Sequence, residues 1–263
     1  MKKEIKEDFK YLVSSTKLLD KKVVIIFLSI AVLQTISWYI TSRYFFRINF
    51  YYDVFGDDPN ASLYEYVYWF VGDFFTLFVL PVLIIKFLLR DKITGYGVKF
   101  GDIKSGVTYS VIFLAVMIPI LWFVSGVPEF AEKYPLLQSS KENWNIFLIF
   151  ETGILLYLFA WEFIWRGFML FGLEEKFGVY SIFIQMIPFV ILHDGKPMLE
   201  TFSAILGGIA LGILAFKTRS FIYGVIVHFG VMFSIDLISV LRSRTGEFGV
   251  GLNSLAAIIS KIF

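Results

Sequence analysis

Histidine occurs only twice in this chain, at His193 and His228, and both lie in apolar surroundings. The first follows Pro188-Phe189-Val190-Ile191-Leu192; the second is flanked by Val225-Ile226-Val227 and Phe229. A third apolar stretch carries Glu162 and Arg166, four residues apart with the acid first. That order favours an ion pair along one helical face. Ionisable groups so placed cost several kcal/mol unless something pairs or uses them. One carboxylate and two imidazoles suit the activation of water. The carboxylate takes a proton as general base and the imidazoles stabilise an oxyanion. The same three side chains are also an adequate donor set for a zinc ion with an open water position, so a metal stays open as an alternative to none. His-x-x-x-His and His-Glu-x-x-His signatures are absent, and the chain has no cysteine, which removes thiolate nucleophiles and zinc–sulfur sites. The plainer reading is that Glu162 and Arg166 only neutralise each other, His193 meets water at an interface, and His228 makes one structural hydrogen bond.

The elements that must position these residues are membrane helices. Of 263 residues, 57% are hydrophobic and 17% charged, with a net charge of +2. A soluble domain carries nearer a quarter charged residues, and so small a net charge gives no reason to expect nucleic acid. The apolar residues fall into seven blocks: 23–45, 63–89, 103–125, 146–171, 179–193, 199–216 and 220–241. All but the fifth reach or approach the ~20 residues that cross a bilayer as helix. The segments lack period-2 alternation, which excludes a β-barrel. The expected architecture is all-α: a polytopic membrane bundle of seven to eight helices with the polar site in its C-terminal half. Residues 1–22 form an N-terminal segment and 23–263 one membrane domain. The tail 252–263 is apolar on one side and lies at the surface or re-enters.

Lysine and arginine set the expected topology. Fifteen fall on the side of the N-terminus and of the loops after the second, fourth and sixth blocks; eight fall on the other. The N-terminus is therefore expected in the cytoplasm, with block 23–45 as a signal anchor. The stretch 43–62 is read as an aromatic belt followed by an outside turn. Pro188 is expected to kink the fifth helix one turn before His193. Ala204, Gly208 and Gly212 recur every four residues and predict a close packing seam. Asp236, two turns after His228, is the acid placed to support it. The three site groups are expected to share one polar cavity reached from the cytoplasmic side.

Three motifs in order resemble those of the CAAX protease and bacteriocin-processing (CPBP, or Abi) intramembrane endopeptidases. The first, Glu-Glu-x-x-x-Arg in the family, reads Glu162-Phe163-Ile164-Trp165-Arg166 here. The second, Phe-x-x-x-His, reads Phe189-Val190-Ile191-Leu192-His193. The third, His-x-x-x-Asn, reads His228-Phe229-Gly230-Val231-Met232. The likeness covers about residues 90–241. It implies that Glu162 activates water, that His193 and His228 complete the site, and that Arg166 is structural. It also implies a bundle of roughly eight helices with an aqueous cavity. The implied partners are the lipid bilayer, a bacterial plasma membrane by this likeness, and a membrane-anchored peptide or protein substrate. Two positions depart: Phe163 replaces the second glutamate and Met232 the asparagine. Both departures favour the alternative of a non-catalytic scaffold or immunity-like protein that kept the fold.

Overall fold

In the computed structural model, which describes residues 2–16 and 18–262, the apolar blocks become helices in the expected order. α1 is Lys2–Thr16 and α2 Lys21–Tyr39. They are followed by α3 (Ala61–Leu89), α4 (Ile103–Val124) and α5 (Trp144–Phe177). Next come α6 (Tyr180–Ile191), α7 (Met198–Thr218), α8 (Ile222–Thr245) and α9 (Leu252–Ile262). Six spans are long and apolar enough to cross a membrane, and α6 is the shorter apolar helix. No strand occurs among the described residues. The chain is a polytopic helical bundle. The eleven residues of α9 are too few to cross, and with Leu252, Leu255 and Ile259 exposed they suit a position in the interface plane.

The stretch 43–55 is helical, and the expected turn follows it at 56–60. Ser42 restarts the helix by accepting the Phe45 N–H at 3.2 Å. Its aromatic side chains then pack on one another and on α3, with Phe46 5.7 Å from Phe55 and 5.4 Å from Tyr68 between ring centroids.

Lipid supplies no hydrophobic drive between helices, so packing and buried polar pairs hold them. The α3–α5 contact is aromatic throughout. Phe150 meets Tyr66 at 5.1 Å and Phe70 at 5.6 Å, and Trp69 meets Tyr157 at 4.6 Å. Gly153 makes room for this stack, since a Cβ there would lie 2.4 Å from the Phe70 ring. Farther along, Phe163 packs on Phe78 at 4.8 Å and on Phe221 at 5.3 Å. The small-residue seam of α7 faces α6. A Cβ on Gly208 would meet Met186 at 2.9 Å, and one on Gly212 would meet Ile182 at 2.9 Å. The buried Gln185 amide of α6 donates to the Gly208 carbonyl at 2.9 Å and fixes the seam.

The two ends of the bundle are built differently. One is knit by Lys22–Asp91 at 2.9 Å, Arg219–Glu174 at 2.6 Å and the Asp102 N–H on the Thr218 carbonyl. There Lys22 beside it holds the Asp91 carboxyl below the usual carboxylate range. At the other end Arg43 and Arg47 share Glu65. Arg242 is buried and donates to Ser125 Oγ and to the Trp122 and Gly249 carbonyls, which ties α4, α8 and the tail together.

Gly153→Ala should destabilise the bundle by about 1–3 kcal/mol, because the Phe70 ring it strikes is held on both sides. Thermal unfolding in detergent checks this. Gly207→Ala is the control: a Cβ there meets nothing within 4 Å. Its melting temperature should hold or rise, since alanine favours a helix by ~1 kcal/mol over glycine.

Candidate active site

Glu162 closes the regular part of α5. From Phe163 to Met169 the helix widens to a π turn, with Arg166 in its middle. Such wide turns recur at functional sites because they re-aim side chains out of helical register. Glu162 and Arg166 are both fully buried, with 0% exposure. Glu162 Oε1 accepts twice, from Arg166 Nη1 at 3.0 Å and from His228 Nδ1 at 2.7 Å. Its other oxygen, Oε2, lies against α8 over Gly224, where a Cβ would be 2.6 Å away. Glycine at 224 is therefore what lets α8 come close enough for His228 to reach the carboxylate.

Phe189 of α6 is the hub of the arrangement. The Arg166 guanidinium stacks over its ring at 4.0 Å. The rings of His193 and His228 lie 4.6 and 6.1 Å from it. His193 stands just past the end of α6, and its Nδ1 is 2.7 Å from the Phe189 carbonyl. A carbonyl only accepts, so Nδ1 carries the proton and donates. Nδ1–H of His228 likewise donates to Glu162. In the neutral imidazoles, both Nε2 lone pairs are then left as acceptors.

Both histidines line one cavity of about 550 Å³. Its walls are otherwise largely apolar, with Phe113 and Met117 from α4, Leu206 and Gly207 from α7, and Met232 and Ile235 from α8. Tyr134 and Glu200 are its other notable polar lining. Tyr134 donates to Glu200 at 2.6 Å and accepts from Lys196 Nζ at 2.8 Å. Burial, reinforced by Glu200, pushes the Tyr134 phenol well above its ordinary range, so it stays a donor.

The sequence-derived residues thus divide. Glu162, Arg166 and His228 meet directly. His193 joins them through Phe189 and the shared cavity. Asp236 does not support His228: it is fully buried and faces Glu151 of α5, a carboxylate pair. The two turns that separate it from His228 carry it past the site. The cavity also lies toward the wrong end for the expected access. It is lined by the C-terminal half of α4, by Phe130 and Tyr134, and by the N-terminal half of α7. All of these adjoin the end opposite the Lys22–Asp91 and Arg219–Glu174 pairs. Phe163 is core, on the face of α5 toward Phe78 and Phe221, whereas Met232 is a wall of the cavity.

Among the described residues, no three His, Asp or Glu side chains gather as ligands of one ion. Glu162 and His228 are bonded to each other, and His193 points its free nitrogen from a separate backbone anchor. As arranged, the three do not form a zinc site. Sequence reasoning missed Gly224, Tyr134 and Glu200. A glycine four residues before His228 was the one available signal for the first. The other two sit in connecting segments whose approach to the cavity only the fold determines.

The site is thus a buried carboxylate held by a guanidinium and an imidazole, beside a largely apolar cavity in a helical bundle. The family model described as "Rce1-like: type II CAAX prenyl endopeptidase Rce1-like" matches residues 142–234. That segment is roughly a third of the chain and contains Glu162, Arg166, Phe189, His193 and His228. Over that segment the chain is similar to this family, in agreement with the three motifs. No curated protein and no solved structure matches.

Arg166→Ala should cost about 3–5 kcal/mol, because it leaves a buried carboxylate without its cation. Adding Glu162→Gln should restore part of that loss. The double-mutant cycle is read from unfolding in detergent; additive losses would show that the two side chains do not depend on each other.

Proposed function

We propose that this chain is an intramembrane endopeptidase in which His228, held by Glu162, activates water against a peptide bond of a membrane-anchored substrate. The observation that carries the reading is the 2.7 Å contact between Glu162 Oε1 and His228 Nδ1. His228 lines the cavity, while Glu162 is fully buried behind it. Water therefore meets His228 Nε2 first. This modifies the assignment implied by the family motif, in which the glutamate itself takes the proton.

The step balances without a cofactor. Water in the cavity that both histidines line gives its proton to Nε2 of His228. Its oxygen forms a bond to the scissile carbonyl carbon. Glu162 keeps His228 in the tautomer that leaves Nε2 free, and its charge favours the imidazolium that forms. The imidazolium then returns the proton to the departing amine nitrogen as the C–N bond breaks. Arg166 holds the carboxylate, and Phe189 holds Arg166.

The second reading, a non-catalytic scaffold, is favoured by Met232. A thioether one turn from His228 offers no hydrogen-bond donor to an oxyanion where the family motif has an amide. Loss of such a donor costs about 2.7–4 kcal/mol of transition-state stabilisation elsewhere.

His228→Ala should lower cleavage of membrane-anchored peptides by about 10²–10⁴-fold, and exogenous imidazole should recover part of it. Glu162→Gln should fall as far without recovery. Loss of activity in His228→Ala with no imidazole rescue, together with an unshifted pH profile, would return the base role to Glu162. Absence of cleavage by the wild type across a broad peptide panel would favour the scaffold.

A further inference from the structure

Three features bear on how anything reaches His228. The first is charge. Within residues 21–263, ten lysines and arginines lie at the end knit by Lys22–Asp91 and Arg219–Glu174, against eight at the other. Of those eight, Arg43 and Arg47 share the single charge of Glu65 and Arg242 is buried. The lysine-rich end is thus the one the positive-inside rule assigns to the cytoplasm.

The second is the direction of the cavity. His228 is about two turns into α8 from the lysine-rich end and forms the inner limit of the cavity. From there the walls run toward the opposite end along Met117, Ile120 and Val124 of α4 and Gly207 and Ser203 of α7.

The third is that the α4–α7 wall is not closed. Ile120 and Leu206 line the cavity and are nonetheless 46% and 72% exposed, more than a closed cavity would allow. Gly207 lines the cavity beside Leu206, and a Cβ built on it meets no atom within 4 Å. Its neighbour Gly208 is by contrast filled by Met186 and Phe189. One glycine closes the seam with α6; the other leaves a gap toward α4.

We propose that substrate reaches the site sideways, through the gap between the C-terminal half of α4 and the N-terminal half of α7, from the external half of the membrane, with Gly207 as its sill. The occupant is a peptide whose apolar anchor lies in the external leaflet. The occupant's identity rests on the peptidase reading, but the route does not.

The chain has no cysteine, so single thiols report without background. Ser203→Cys and Lys99→Cys are each labelled with a membrane-impermeant maleimide, in intact cells and in inverted vesicles. Lys99 is exposed at the lysine-rich end. Ser203→Cys should label in intact cells and Lys99→Cys only in inverted vesicles. The reverse pattern would put the gap on the cytoplasmic side and overturn the proposal. Failure of Ser203→Cys to label from either side would overturn the open gap. In the cleavage assay, Gly207→Leu should lower kcat/KM by about 10- to 100-fold with an unchanged melting temperature. Wild-type cleavage undiminished in Gly207→Leu would also sink the gap. If the wild type cleaves nothing, the peptidase reading fails while the labelling still decides the route.

Discussion

The pairing of Glu162 with Arg166 inside the bundle constrains most of what surrounds it. Two charges taken out of water lose several kcal/mol each, and their attraction offsets this only with good geometry and further hydrogen bonds. The π turn at 163–169 and the stacking of Arg166 on Phe189 are parts of that geometry. His228 supplies the further bond, and Gly224 lets α8 approach to make it. Three helices, α5, α6 and α8, are therefore committed to one carboxylate. Arg166 Nε and Nη2 and Glu162 Oε2 keep no protein partner, among the described residues. The pair is thus held, but not saturated.

A second buried acid on the same two helices shows what happens without a cation. Glu151 and Asp236 also bring α5 against α8, and the four carboxylate oxygens have no donor among the described residues. Contact between two such groups is a hydrogen bond only when one carries a proton. Glu162 meets a guanidinium and an imidazole; Glu151 meets its own kind. The first can orient a base. The second is a clamp, about two to three turns along the same helices from the first. Both sites hold a buried carboxylate between the same two helices. The partner decides.

This contrast also shows which properties a sequence can carry. Helix number, order and the short fifth segment follow from block length, because hydrocarbon thickness fixes how many residues a helix needs. The Glu162–Arg166 contact is local, four residues on one helix, and equally legible. His228 at the same carboxylate was visible only through motif order. Asp236 was misassigned because spacing along α8 says nothing about which face α5 covers. The helical 43–55 stretch was missed because its aromatics read as a membrane-interface belt, whereas tertiary contacts with Tyr68 use them as packing. The direction of the cavity was out of reach for a simpler reason. Depth along a helix can be counted from either end, and only the fold shows which half of α4 and α7 stands apart.

The glycines of α7 bring these levels together. Gly207 and Gly208 are neighbours in sequence, and one helical step of about 100° sends their missing side chains to different faces. At 208 the absence of a Cβ lets α6 press in, which brings Phe189 to Arg166 and both histidines. At 207 the same absence serves no packing at all. Glycine in a helix interior costs ~1 kcal/mol relative to alanine. At 208 close packing offsets that cost. At 207 a Cβ would meet nothing within 4 Å, so no contact among the described residues offsets it.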